Sequence, residues 1–451
     1  MWRAIGDRIV WPISTQTAPI VLSSHVRADD LATCISCGLC LNDCPTYRVL
    51  DDEADSPRGR IQLIRQMVST EGTAVDDRVA GHLEACLVCR ACETACPSGV
   101  PFGRIMEGAR EDLRERERPR RVAKAIRRLG LATVADQSRL RLLTRLLDLY
   151  VRSGAQRVAR ASRLLPKRLR AMESLAMKAE GTPYVPIERP DGDTAFFAGC
   201  IMRTAFGETE RATVRMLERG GKRVTACQEQ TCCGALHAHA GDGDTARELA
   251  RLNIDAFSGM DGPIVVNAAG CGAQLKAYGE LLAGDPAWSE RAHAFGARVR
   301  DASEAVAPGS VRSAAPRAIR VVYQDACHLA HGQQIRRQPR ALLDKVPKVT
   351  LVPIADAERC CGSAGIYNLT HPEVAGELQR QKVAAILAVR PDIVVSANPG
   401  CILQVAAGMR AAGSDVPVVH LMRFLDDPSA SLGALTPSGS QPTQKPRDVR
   451  K

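Results

Sequence analysis

Short apolar runs alternate with segments of helical period over the second half of the chain. Runs of β-branched and aromatic residues end shortly before a cysteine at 196–197, 264–266, 321–323 and 393–395. Apolar residues recur at helical spacing within 208–219, 245–257, 334–345 and 372–388. Strands that alternate with helices in this way are typical of an α/β fold with a mostly parallel sheet.

The first hundred residues carry helical periods instead. A helix-start signal lies at 56–57, and Ile61, Ile64 and Val68 then recur at helical spacing. A second helical stretch covers 77–85. The pattern therefore predicts a helical N-terminal domain.

Composition narrows the class of protein. The chain has 451 residues, of which 45% are hydrophobic and 25% charged, which suits about three globular domains. It contains no apolar run long enough for a transmembrane helix, and its N-terminus lacks the apolar region of a secretory signal. Aromatic residues make up only 4%, which argues against modules that stack on nucleic-acid bases. We expect a cytoplasmic protein.

Seventeen cysteines in a reducing compartment indicate metal binding rather than disulfides. Two runs share the spacing C-x2-C-x2-C-x3-C-P, which is typical of a pair of [4Fe–4S] clusters. In that arrangement three thiolates of a run hold one cluster and the fourth reaches the other. The predicted ligands are Cys34, Cys37, Cys40 and Cys96 for a first cluster and Cys86, Cys89, Cys92 and Cys44 for a second. Structural zinc sites are the alternative, although zinc favours separated pairs.

Basic residues are concentrated in the middle of the chain. Residues 104–180 contain 21 Lys and Arg against 9 Asp and Glu, a net +12, whereas the whole chain carries +11. Within this segment, residues 140–150 are amphipathic. A solvated linker, an acidic partner subunit or an anionic membrane surface each explain the charge, and we favour a linker that docks a partner. Arg58 and Arg60 face either a cluster or solvent, with solvent favoured for any single arginine.

The second half of the chain is an internal repeat. Equivalent cysteines of the two copies are offset by 127, 128, 128 and 130 residues. The first copy contains Cys200, Cys232, Cys233 and Cys271, and the second contains Cys327, Cys360, Cys361 and Cys401. Because ligands bind at the carboxyl ends of parallel strands, where these cysteines fall, adjacent thiolates there can share a metal centre. Cys227 belongs to neither copy, and His328 is either a ligand or, as we favour, a hydrogen-bonding neighbour of Cys327.

These motifs resemble known families. The repeat resembles the cysteine-rich CCG domain of heterodisulfide reductase subunits, and the chain from Cys34 to about residue 425 resembles the iron–sulfur subunits of bacterial glycolate oxidase. The stretches that carry the resemblance lie at 57–61, 92–100, 268–273 and 360–367. The resemblance implies a helical dicluster ferredoxin domain followed by a duplicated α/β cysteine-rich domain.

The resemblance also implies a function. The chain would be the electron-transfer subunit of a glycolate oxidase (glycolate dehydrogenase), located in the cytoplasm or peripherally on the inner face of the cell membrane. It would take electrons from partner subunits that bind FAD and oxidise glycolate to glyoxylate, and pass them to a quinone or another acceptor. The sequence contains no dinucleotide-binding glycine motif, which agrees with a flavin on the partner and not on this chain. D-lactate or glycerol-3-phosphate dehydrogenases, and a heterodisulfide-reductase-like thiol–disulfide oxidoreductase, are the alternatives.

One departure from the resemblance concerns the repeats. Heterodisulfide reductase subunits end each repeat with C-x2-C, whereas this chain has Gln274 and Gln404 at the corresponding positions. Four cysteines per repeat argue against the non-cubane cluster of that family. We therefore expect a further iron–sulfur or zinc centre in each repeat, or one shared between them, and an empty copy remains open.

The predicted organisation follows the chain. The segments are an N-terminal extension (1–30), the ferredoxin domain (31–110), a basic helical linker (111–190), the first repeat (191–312), the second repeat (317–427) and a disordered tail (428–451).

Overall fold

The computed structural model describes residues 25–69, 75–116, 121–162 and 167–433. Most of the predicted extension, 1–24, and the tail from 434 onward lie outside the described residues. None of the described helices is long and apolar enough to cross a membrane.

The N-terminal unit is helical, as the pattern predicts. Its described helices are α1 (Ala28–Ala32), α2 (Pro45–Leu50), α3 (Pro57–Ser69), α4 (Asp77–Glu84), α5 (Ala91–Thr94) and α6 (Phe102–Arg116). The predicted apolar stripe of α3 is buried, with Ile61, Ile64 and Val68 packed in one core with Ile105 and Met106 of α6. This core holds the two cysteine runs on either side of α3.

The linker folds into four described helices. They are α7 (Arg121–Ala135), α8 (Gln137–Arg152), α9 (Ala155–Ser162) and α10 (Lys167–Ser174). The Asp136 side chain caps α8 by accepting hydrogen bonds from the backbone of Ser138 and Arg139. Leu140 anchors α8 on the first repeat, where it packs with Cys200 and Cys232. The linker therefore covers one end of that repeat.

Each repeat contains a four-stranded parallel sheet. The first sheet comprises β1 (Thr194–Phe197), β2 (Val224–Thr225), β3 (Ile264–Val266) and β4 (Val299–Asp301). The second comprises β5 (Ile319–Gln324), β6 (Val349–Leu351), β7 (Ile393–Ser396) and β8 (Val418–His420). The strand orders β2-β1-β3-β4 and β6-β5-β7-β8 are equivalent, and all pairings are parallel. The predicted duplication of an α/β unit is thus confirmed.

Helices flank both sheets. In the first repeat they are α11 (Cys200–Ala205), α12 (Gly207–Arg219), α13 (Ala235–His239), α14 (Gly243–Ala256), α15 (Ala269–Lys276), α16 (Tyr278–Leu281), α17 (Ser289–Arg298) and α18 (Ala302–Ala305). In the second they are α19 (Arg337–Leu343), α20 (Tyr367–Thr370), α21 (Pro372–Ala388), α22 (Pro399–Ala411), α23 (Leu421–Asp426) and α24 (Pro428–Gly433). The buried carboxylate of Asp426 accepts hydrogen bonds from Arg215 of α12, which ties the two repeats together.

Two local predictions differ from the structure. The helix predicted over 334–345 begins only at Arg337, because Gln334 has a φ of +58°, a left-handed conformation that interrupts a right-handed helix. The first residues of the predicted disordered tail form α24 instead. Asp427 starts this helix, since its side chain accepts a hydrogen bond from the Ala430 N–H at 2.9 Å.

Candidate metal centres

The first cysteine run lines a surface cavity. Its thiol lining consists of Cys34, Cys37, Cys40, Cys92 and Cys96. Cys37 is exposed, and Ile35 and Leu39 beside it are also largely exposed. The cavity therefore reaches the protein surface.

The second run lines a buried cavity behind the first. Its thiol lining consists of Cys44, Cys86, Cys89 and Cys92, all of them buried. Each cavity thus gathers the four thiols that the spacing predicts for one cluster, and Cys92 lies on the wall between them. The assignment of individual ligands to clusters stays a prediction.

The backbone curls in the same way in both runs. Ser36 and Val88, each two residues after the first cysteine of its run, have φ values of +58° and +49°. Gly38 and Arg90, each one residue after the second cysteine, have φ values of +87° and +64°. A β-branched residue such as Val88 is strained in this conformation, which is retained where the surroundings impose it. Two equivalent left-handed turns per run wrap successive thiols around one point.

Burial disfavours ionised thiols in the second cavity unless a cation compensates their negative charge. Desolvation raises the pKa of Cys89 and Cys92 well above the ordinary thiol value, so that their thiolates form only with a compensating cation. A metal centre supplies that charge, and four converging thiols suit iron–sulfur or zinc chemistry. The donor set therefore fits the predicted clusters.

Arg60 lies at this cavity and not in solvent. It is fully buried, and its guanidinium donates to Asp55 Oδ1 at 3.0 Å and to Thr46 Oγ1 at 2.9 Å. Its Nη1 lies 4.0 Å from Cys44 Sγ. The preference for a solvated face was wrong for Arg60, because its helix turns this position into the core. Arg58 is partly exposed and pairs with Glu53.

A second arginine in the core region, the half-buried Arg110 of α6, escaped the sequence reasoning. Its guanidinium donates to the carbonyl oxygens of Glu84 and Cys86 at 3.0 and 2.5 Å and to that of His239 at 2.7 Å. One side chain thereby joins the second cysteine run to the first repeat. No local signal marks it among the many arginines of this basic segment.

The cysteines of each repeat converge at the carboxyl ends of the two central strands. In the first repeat Cys200 Sγ and Cys232 Sγ lie 3.7 Å apart. Neighbouring thiols interact in turn along two sets, Cys200, Cys232, Cys233 and Cys271 in one repeat and Cys327, Cys360, Cys361 and Cys401 in the other. The hydrogen bond with Cys232, together with burial, raises the pKa of Cys200 well above its usual range. Each repeat therefore presents four adjacent thiols of a kind that binds thiophilic metals.

Residues outside these quartets have other partners. Cys227 donates to the Glu229 carboxylate at 3.0 Å and takes no part in the chain of thiols. The side-chain amide of Gln404 accepts a hydrogen bond from Asn368 and donates one to the Ala375 carbonyl oxygen. This glutamine thus serves a structural role where the related family has a thiol.

The Cys-Cys-Gly turns depend on their glycines. Gly362 has a φ of +87°, and a Cβ there would lie 2.6 Å from the Ala375 carbonyl oxygen. Gly413 has a φ of +73° with no atom within 4 Å of such a Cβ. We expect Gly362→Ala to destabilise the protein by about 3 kcal/mol and the matched Gly413→Ala by about 1 kcal/mol. Thermal unfolding of both variants measures the difference, and equal melting temperatures would contradict it.

The two repeats place their thiols in different surroundings. Leu87 and Cys89 of the second run pack in one core with Cys327 and Cys360 of the second repeat. Cys200 and Cys232 of the first repeat lie instead beneath α8, against Leu140. Asn398 joins the two repeats, since its Oδ1 accepts from the Gly270 N–H at 3.1 Å and its Nδ2 lies 3.6 Å from Cys401 Sγ. The thiol sites therefore form a continuous series through the molecule.

A polar cavity of about 840 Å³ opens between the ferredoxin domain and both repeats. On its wall, Glu107 Oε1 lies 2.9 Å from His239 Nδ1, and His239 Nε2 lies 3.1 Å from His328 Nε2. His328 Nδ1 in turn lies 3.6 Å from Cys327 Sγ. His328 is thus held between a second histidine and the thiol beside which the sequence places it.

Family models match three parts of the chain. One described as "4Fe-4S dicluster domain" matches residues 30–100, and one described as "Cysteine-rich domain" matches residues 194–276 and 321–406. A third, "Glycolate oxidase iron-sulfur subunit, linker region", matches residues 122–176. The matches coincide with the two cysteine runs, the two repeats and the linker helices.

Two relatives match most of the chain, and a third matches about half of it. The "Probable glycolate oxidase iron-sulfur subunit" of Bacillus subtilis (strain 168) is 38% identical over 88% of this chain and 93% of its own length. The "Glycolate oxidase iron-sulfur subunit" of Escherichia coli (strain K12) is 34% identical over 85% and 91%. "Lactate utilization protein A" of an Exiguobacterium species is 28% identical over 52% of this chain and 97% of its own length.

Proposed function

Because the chain belongs to the family of glycolate oxidase iron–sulfur subunits, and so is an electron-transfer component of an oxidoreductase, we propose where its electrons come from and where they go. The donor is an FAD-binding partner subunit that oxidises glycolate to glyoxylate. The acceptor is a quinone. The complex works in the cytoplasm, held peripherally on the inner face of the cell membrane.

The series of thiol sites carries this proposal. The two cysteine cavities share Cys92, the second run packs in one core with thiols of the second repeat, and a hydrogen bond to Asn398 connects the second repeat with the first. Two [4Fe–4S] clusters held by the eight ferredoxin cysteines, with a further centre in the repeats, supply one-electron carriers when bound. These contacts support a route from Cys37, which is exposed, to Cys200 and Cys232, which are covered by α8.

The protein matrix between the sites is suited to this role. Arg60, which is buried, and Arg110, which is half-buried, place guanidinium groups at the second run, near Cys44 Sγ and at the Cys86 carbonyl oxygen. Such charge and hydrogen bonding raise the reduction potential of an iron–sulfur centre. The first run has equivalent neighbours, since Arg65 donates to the Cys34 carbonyl oxygen and Arg58 lines its cavity, so we expect both clusters to be tuned in this way.

The substrate is tested on the native complex. We expect the chain to co-purify with a flavoprotein. We also expect glycolate to bleach the iron–sulfur absorbance of the anaerobic complex at least about tenfold faster than D-lactate or glycerol-3-phosphate does, because a site shaped for a two-carbon acid rejects bulkier substrates. The match to a lactate utilization protein makes D-lactate the second candidate. Faster bleaching by D-lactate would replace glycolate as the substrate.

A further inference from the structure

One side of helix α8 is an exposed stripe of leucines. Its leucine face consists of Leu142, Leu143, Leu146, Leu147 and Leu149, whose exposed fractions are 59%, 42%, 56%, 41% and 64%. At 3.6 residues per turn these five side chains span an arc of about 160°. Soluble surfaces rarely carry a contiguous apolar patch of this kind without a partner.

Arginines border the leucine face. Arg145 follows its edge on α8, and Arg128 and Arg157 lie on the neighbouring helices α7 and α9. All three are exposed, and none forms an ion pair within the part of the chain that the structure describes. The surface thus combines a broad apolar stripe with exposed arginines that no ion pair of the described residues neutralises.

We propose that the leucine face of α8 lies in the interface of an anionic lipid membrane. Apolar side chains on one face and arginines at its border are the features by which an amphipathic helix lies in the plane of a bilayer. The leucines offer no hydrogen bonds, and Tyr150, which lies within the same arc, is a residue type enriched at the level of lipid headgroups. The basic charge selects anionic headgroups.

This inference rests on the peripheral membrane location in the proposed function and adds which side of the protein faces the membrane. Leu140 lies seven residues before Leu147, about 20° from it around α8, and so stands at the edge of the leucine face, where it packs with Cys200 and Cys232 of the first repeat. The helix that would enter the lipid interface therefore also packs on these thiols. A lipid-soluble acceptor would meet the covered end of the series of thiol sites.

Vesicle binding of the full chain tests the proposal without any substrate. We expect the protein to sediment with phosphatidylcholine vesicles that contain phosphatidylglycerol, and to bind phosphatidylcholine alone at least about tenfold more weakly. The triple variant Leu142→Gln, Leu146→Gln and Leu149→Gln should lower the affinity at least about tenfold. Because no electron transfer is measured, failure here is separate from failure of the proposed function.

Matched variants test whether vesicle binding depends on the leucine face itself and not on any exposed leucine or arginine. Leu50 is 39% exposed and lies on α2 of the ferredoxin domain, so Leu50→Gln should bind vesicles like the unaltered chain, whereas Leu146→Gln binds less. Arg145→Glu should reduce binding to anionic vesicles, and Arg380→Glu on α21 should not. The proposal is overturned if the unaltered chain ignores anionic vesicles. It is equally overturned if the triple variant keeps vesicle binding but loses its flavoprotein partner or a dimeric state.

Discussion

Replacing Cys44 with alanine is expected to remove one iron–sulfur cluster and to lower electron transfer through the subunit by more than about 100-fold, beyond the 10–100-fold typical of residues that only orient a ligand. Cys44 belongs to the first run, yet it lines the buried cavity with Cys86, Cys89 and Cys92. Its loss should therefore deplete the cluster of the second run. Cys96→Ala should deplete the other cluster, because Cys96 lines the surface cavity.

Iron, acid-labile sulfide and EPR spectra of anaerobically purified variants measure this result. Two intact clusters contain about eight iron atoms, and each variant should lose about four. Cys227→Ala is the matched control, since Cys227 is equally buried but bonds to Glu229 outside the thiol series. If Cys44→Ala instead gave the spectrum of Cys34→Ala, each run would hold its own cluster and the crossed assignment would be wrong.

The features that were predictable from sequence are those encoded by spacing. The helical period of Ile61, Ile64 and Val68 is a local property, and α3 buries these residues. The constant offset between equivalent cysteines reports a duplicated unit, and both sheets have the same strand order. In such cases the distance along the chain determines the structure directly.

The features that were not predictable depend on partners far away in the chain. Arg60 is buried because Thr46, Asp55 and the His82 carbonyl surround it. Asn398 connects two repeats across a separation of 128 residues. An arginine or asparagine in isolation is more often exposed, so these roles emerge only when the units pack.

A buried carboxyl group in the first repeat is expected to make the stability of the protein strongly dependent on pH. Glu210 of α12 is fully buried, and its Oε2 accepts a hydrogen bond from Asn267 Nδ2 at 2.8 Å. Its Oε1 has no hydrogen-bond partner among the described residues. Burial raises the pKa of Glu210 to about 8, although Asn267 and Arg203 oppose this and Glu180 adds to it. The folded protein thus holds Glu210 protonated at neutral pH.

The sign of the pH dependence follows from this raised pKa. The unfolded chain releases the proton near pH 4.5, whereas the folded protein keeps it to about pH 8. Stability is therefore intact below about pH 4.5 and falls by up to about 4 kcal/mol as the pH rises to about 8. Glu210→Gln keeps a neutral hydrogen-bonding side chain and should remove this loss.

Melting temperatures measured over a range of pH values test whether Glu210 is protonated in the folded protein. We expect Glu210→Gln to melt with the unaltered chain near pH 5, and several degrees higher near pH 8.5, as about 4 kcal/mol implies. Glu248→Gln, at an exposed position of α14, should follow the unaltered chain at every pH. A constant difference between Glu210→Gln and the unaltered chain would mean that the carboxyl is already ionised in the fold. In that case Arg203 would have outweighed its burial.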